Sequence, residues 1–232
     1  MCIRDSYLHT TDLSGSGGPD SEHHLSGLLV ESFQSNPVHI EGILNRAGKL
    51  TNSRLYSNAI GLLVDSGDWE INTVDVGGTD VGAGIMCFGG NIKWVNAKSW
   101  FSKGHGWHID SPRNSFVGCE AQDNTLHGFY VEDDCLLVGC QADSNGFNGT
   151  NTPTPSHDGF HLTATASGTV MQGCRSFDKN EAGRGFHQRF GVYVDGGASP
   201  LMIDTVTRDN ASGSTGGDLT PSADRVFRVI GS

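Results

Sequence analysis

A four-residue pattern, glycine–apolar–any–apolar, recurs six times along this chain of 232 residues. It reads GLLV at Gly61, GIMC at Gly84, GWHI at Gly106, GFYV at Gly128, GFHL at Gly159 and GVYV at Gly191. Successive glycines are 23, 22, 22, 31 and 32 residues apart. A second segment falls between them: VNAKS at Val95, VGCEA at Val117, VGCQA at Val138 and QGCRS at Gln172, with DTVTR at Asp204 as a weaker copy. A polar turn carrying Asn58, Asn124, Asn145, Asn180 or Asn210 completes each unit. Strands of three to five residues cannot bury a face alone, but stacked about 4.8 Å apart they can. The glycine is expected to permit a tight corner. The asparagine is expected to tolerate a left-handed backbone and to bond its neighbours in the stack.

These units resemble the coils of the pectin-lyase-like superfamily of right-handed parallel β-helix proteins, over about residues 57–213. The resemblance implies an all-β, single-stranded solenoid of six to seven coils, each of roughly 22 residues. One or two irregular coils are expected within 25–56, where GLLV recurs at Gly27 and the run NSRLYSN ends at Asn58. The expected division is an irregular or non-native segment at 1–24, a β-helix domain at 25–213 and a capping segment at 214–232. Met1 to Ser6 fits no pattern elsewhere and is read as foreign to a native chain that would begin inside a longer protein. A leucine-rich repeat would need a leucine ladder and a helical half, and a propeller would need a repeat nearly twice as long.

Composition narrows the function. Twenty-six acidic against 15 basic residues leave a net charge of -11, which argues against a nucleic-acid partner. Apolar runs of a few residues are far short of the roughly 20 needed to cross a bilayer. The six cysteines form no CxxC pair. Ala97, Cys119, Cys140 and Cys174 recur at one position, with Val206 expected to follow, and Cys87 matches Val64 and Ile109. These are expected to be unpaired, inward thiols. Cys135 lies in the acidic stretch VEDDC and is expected to be exposed.

Alternate residues of a strand face opposite sides. If the first and third residues after each glycine point inward, two outward columns result. One holds Leu63, Met86, His108, Tyr130, His161 and Tyr193; the other holds Asp65, Phe88, Asp110, Glu132, Thr163 and Asp195. Rings that pack on sugar faces, beside carboxylates and imidazoles that bond hydroxyls, suit a polysaccharide. The extra residues of the two long units, at 145–158 and 180–190, are expected to stand side by side as a wall next to His161 and Tyr193. His127 and His157 belong to the same histidine-rich stretch as His105 and His187.

Two chemistries fit. In the first, His108 or His161 removes the proton beside a uronate carboxylate, Tyr130 or Tyr193 protonates the departing oxygen, and Arg113, Arg175 or Arg189 neutralises the carboxylate. In the second, carboxylate pairs drawn from Asp110, Glu132 and Asp195 hydrolyse a glycosidic bond. The first is preferred, because His and Tyr alternate in one column. GHG at Gly104 matches one polygalacturonase element, but the accompanying NTD, paired-Asp and RIK segments are absent, as is the DPH motif of mannuronan epimerases. No cofactor or metal is implied; Glu132, Asp133 and Asp134 are oxygen donors of the type calcium takes. The leading expectation is an extracellular protein that binds an acidic polysaccharide and cleaves it by β-elimination. The alternatives are a glycoside hydrolase and a non-catalytic tailspike, surface-fibre or adhesin module, on a virion surface and assembled as a homotrimer.

Overall fold

The computed structural model describes residues 2–3, 8–10, 23–31, 38–41, 48–149, 155–179, 185–217 and 229–231. All regular structure among them is β-strand, in two sheets of nine and sixteen strands. Among the described residues no helix is long and apolar enough to cross a membrane. The six glycine-led strands stack in sequence order and in parallel register in the nine-stranded sheet. Leu62, Ile85, Trp107, Phe129, Phe160 and Val192 form one buried column, and Val64, Cys87, Ile109, Val131, Leu162 and Val194 another. The Trp107, Phe129 and Phe160 rings stack at centroid spacings of 5.7 and 4.8 Å. The other sheet forms the remaining two sides of each coil. It bends at a column of left-handed residues, Asn52, Thr73, Asn96, Gly118, Gly139, Gly173 and Asp204.

The glycines recur for a reason other than corner flexibility, since none of the six leading glycines has a positive φ. A Cβ on Gly106 would lie 2.7 Å from the carbonyl oxygen of Gly128, one on Gly128 2.6 Å from that of Gly159, and one on Gly159 2.8 Å from that of Gly191. These glycines lie over one another too closely for a side chain.

The asparagine turn also differs in mechanism from expectation. The left-handed residues are those just before it, among them Ser57, Asp123, Ser144 and Asp209. The asparagines themselves turn inward and form an amide ladder. Asn124 Nδ2 donates to Asn145 Oδ1 at 2.9 Å, Asn145 Nδ2 to Gln188 Oε1 at 3.2 Å, and Gln188 Nε2 to Asn210 Oδ1 at 2.6 Å. Gln188 supplies the rung expected of Asn180, which lies outside the described residues.

Several other expectations need correction. Thr205, not Val206, continues the column of Ala97, Cys119, Cys140 and Cys174, because Arg175 pairs with Val206. Cys135 is buried, beginning the strand Cys135–Val138, and burial pushes its thiol up to about 12. The described cysteines Cys87, Cys119, Cys135, Cys140 and Cys174 are all buried and unpaired. The GLLV at Gly27 enters the sixteen-stranded sheet, where Val30 pairs with Leu55; the matching rung of the nine-stranded sheet is Val38–Ile40. His23–Ser26 and Gly213–Gly217 are paired strands of the two sheets.

Replacing Asn145 by alanine strands partners on both neighbouring rungs of a buried ladder. Urea unfolding should show a loss of about 3 kcal/mol, with the slope unchanged.

Candidate functional site

The outward column forms as expected. Leu63, Met86, His108, Tyr130, His161 and Tyr193 pair in register, each partly exposed, and His39 extends the column one rung further. Because the coils are so closely spaced, the rings touch. His108 meets Tyr130 at 5.4 Å, Tyr130 meets His161 at 5.4 Å, and His161 meets Tyr193 at 5.1 Å with planes 18° apart. A second file of rings lies beside the first, because the residues before Gly106 and Gly128 also face this side. His105 stacks on Tyr130 at 4.5 Å and on His127 at 5.3 Å, and His127 meets His161 at 4.3 Å and His157 at 4.9 Å.

At the centre is Asp158, whose side chain is fully buried. Its Oδ1 accepts Arg189 Nε at 2.9 Å and the Phe190 amide at 3.3 Å. Its Oδ2 accepts Arg189 Nη2 at 2.8 Å and His161 Nδ1 at 2.9 Å. Burial works to raise the Asp158 carboxyl, but hydrogen bonds from His161 and Arg189 prevail and hold it well below the usual carboxylate range. The Asp158 amide donates to His127 Nδ1 at 2.9 Å, which makes that nitrogen an acceptor and places the proton of a neutral ring on Nε2. Burial accordingly lowers His127, with the neighbouring His161 and Arg189 charges adding to it against the pull of Asp158. Burial also lowers His157 to about 4 and His105 to about 3, assisted by their imidazole neighbours.

Arg189 is placed from two sides. Asp178 accepts the amides of His187 and Gln188 at 2.6 and 2.9 Å, fixing the preceding backbone. The guanidinium lies 4.5 Å from the Tyr193 ring centre and 5.2 Å from that of Phe190. Two of its five N–H groups are committed to Asp158.

The expected acids divide. Glu132 is hydrogen-bonded to His108 Nε2. Asp195 Oδ2 lies 3.5 Å from His161 Nε2. Asp110 is exposed at its end of the row. Burial raises the Tyr130 phenol, as do the charges of Glu132, Asp195 and Asp110. Of the three arginines, only Arg189 joins the cluster. Arg175 lies in the sixteen-stranded sheet between Gln141 and Val206, on another side of the coil. Arg113 is exposed at the turn beyond Asp110, its amide bonded to the Asp134 carbonyl. Asp133 and Asp134 accept the amides of Asp134 and Gly168. The middles of the two inserts, 150–154 and 180–184, lie outside the described residues. Their flanks adjoin, His157 bridging to Gln188.

Sequence reasoning missed Asp158. Its signal was present: it occupies the position of His105 and His127, immediately before the repeat glycine. Donor atoms of His127, Asp158 and His161 lie within 4.8 Å of one another, a spacing that a metal could use. Here Asp158 already takes a bidentate guanidinium and His127 Nδ1 an amide, so hydrogen bonds satisfy these atoms without an ion.

The backbone is similar to several solved structures. The A-module of the Azotobacter vinelandii mannuronan C-5 epimerase AlgE6 superposes with a TM-score of 0.66 at 13% identity, over 89% of this chain and 58% of that one. The Dettilon tailspike protein gives 0.56 at 15%, over 83% of this chain and 41% of that one. The periplasmic alginate epimerase AlgG gives 0.53 at 16%, over 91% and 49%. This chain is a right-handed parallel β-helix. The β-helix spans roughly half the length of those chains. It matches no protein-family model and no curated protein sequence.

Two outcomes follow from the buried cluster. The unfolded chain binds a proton on His105 at the ordinary value of 6.5, whereas the native ring does so only near 3. The stability due to this group is complete above 6.5 and is lost as the pH falls toward 3. His105→Phe should therefore match the wild type near pH 8 and exceed it near pH 5 in denaturant titrations. Asp158 has a depressed value, so its contribution is complete above the ordinary aspartate range and is lost in acid below about pH 4. Asp158→Asn should flatten that acid limb.

Proposed function

We propose that the ring-lined face binds an acidic polysaccharide and removes a proton from the carbon beside a uronate carboxylate, leading to β-elimination. The observation carrying this reading is His161, an imidazole set between two tyrosines and tied through Nδ1 to a buried aspartate. That hydrogen bond orients the ring and leaves Nε2 as the atom that takes the C-5 proton. Tyr130 and Tyr193 flank it, each with a phenol that can hand a proton to the departing C-4 oxygen. The C–H electron pair becomes the new double bond as the C-4–oxygen bond breaks. Return of a proton to the opposite face at C-5, without loss of the C-4 oxygen, would give epimerisation from the same arrangement. Arg189 supplies positive charge beside His161 and Tyr193, where the substrate carboxylate gains negative character.

Two of the three epimerase and tailspike proteins named above are alginate or mannuronan epimerases, which supports a uronate polymer. Hydrolysis by paired carboxylates is less well supported, because Glu132 is hydrogen-bonded to the His108 imidazole. The tailspike likeness favours a second reading, in which the same ring ladder holds a glycan without altering it. Either role implies work outside the cell, in the periplasm or on a virion surface, with a homotrimer as the assembly for a fibre.

Purified protein should be incubated with mannuronate, guluronate and galacturonate polymers, with ultraviolet absorbance reporting unsaturated ends and deuterium uptake at C-5 reporting epimerisation. His161→Ala should lower the rate by about 100- to 10,000-fold. Equal rates in His161→Ala and wild type would remove the assignment. Binding without turnover would establish the second reading.

A further inference from the structure

The side of the coil formed by Lys98–Trp100 and its neighbours carries a different surface. Tyr56, Gly77 and Trp100 are successive rungs of one outward column. Gly77 leaves room for the indole to lie on the sheet, since a Cβ there would be 2.6 Å from the Trp100 ring. Tyr56 and Trp100 meet at 5.7 Å across that gap. Both hold Asp75: Tyr56 OH donates to Oδ2 and Trp100 Nε1 to Oδ1, each at 2.6 Å. Asp75 is also on the wall of a groove of about 610 Å³, with Arg54, Asn96 and Lys98 beside it and Leu28 and Val74 in its lining.

Phe101 adds a second, independent sign. It has a φ of 52°, a left-handed backbone that disfavours a bulky side chain, and the residue is 43% exposed. The rungs on either side place glycine or a small or polar residue there, Gly78 and Asp123. Phe101 packs edge-on against Trp100 at 5.4 Å, extending the aromatic surface. A ring left exposed after its contacts with Trp100 and Phe147, in an unfavourable backbone, points to use.

Charge identifies the occupant. The column beside the rings reads Arg54, Asp75, Lys98 and Glu120, alternating in sign and summing to zero, and Lys98 bonds Glu120 at 3.1 Å and is also hydrogen-bonded to Gln122. Such a surface has no net pull on a polyanion. It offers flat rings with fixed donors and acceptors at their edge, which is what an uncharged pyranose requires. We propose that Tyr56, Trp100 and Phe101, with the groove beside Asp75, form a second carbohydrate site that takes a neutral hexose chain. It lies on another side of the coil from His161 and does not depend on the reaction proposed there.

The test is titration of the whole protein with cellohexaose, maltohexaose, chitohexaose and a mannuronate hexamer, followed through the indole N–H signal of Trp100, assigned with Trp100→Phe. At least one neutral hexasaccharide should shift that signal. Trp100→Ala should weaken its binding at least tenfold, and His161→Ala should leave it unchanged. Phe101→Ser should bind at least threefold more weakly while unfolding no earlier than wild type, because Ser57 already holds the same left-handed backbone two rungs away in this column. The proposal is overturned if no neutral hexasaccharide binds, if the mannuronate hexamer alone moves the signal, if His161→Ala abolishes the binding, or if Phe101→Ser instead dissociates an oligomer in sedimentation.

Discussion

Everything in this protein depends on how closely one coil can approach the next. The backbone of each glycine-led strand is held against the carbonyl of the following one, at a distance that excludes even a methyl group. Parallel pairing then fixes the register, since a slip of one residue would turn the apolar column outward. That geometry confines large rings to stacks inside, Trp107 over Phe129 over Phe160, and does the same to the rings outside. The ladder on the exposed face and the core beneath it share one cause.

The site uses that closeness chemically. Side chains twenty or thirty residues apart in sequence become neighbours about 5 Å apart, as for His161 with Tyr130 and Tyr193. Asp158 is what turns stacked rings into an ordered charge arrangement. It binds one imidazole and one guanidinium from successive coils while its own amide fixes a third group, His127. A buried carboxylate so fully bonded is costly to disturb.

The solenoid was legible because its signal repeats: six glycine-led strands, each with the same inward and outward alternation, leave one consistent stacking. His108, Tyr130, His161 and Tyr193 could be placed in one column for the same reason. What escaped lay where the period breaks. Val38–Ile40 lacks a leading glycine, and the GLLV at Gly27 imitates the motif in the other sheet. Gln188 replaces an asparagine after an insertion, a rung that the residue type of Asn180 imitates in sequence. Asp158 went unread because its partner Arg189 is 31 residues away and their pairing depends on where an insert ends. Arg175 looked available only because charge, unlike hydrophobicity, does not report which side of a coil it occupies.

The amide ladder has a bearing on how such a chain can diversify. Asn145 and Gln188 bond although 43 positions separate them, because the longer side chain of glutamine reaches the rung that an ordinary coil would fill with asparagine. The spine therefore closes over an expanded corner without losing a link. Evolution can lengthen the segments around the cluster, exchange them, or graft new ones there, while the scaffold below registers no change in pitch.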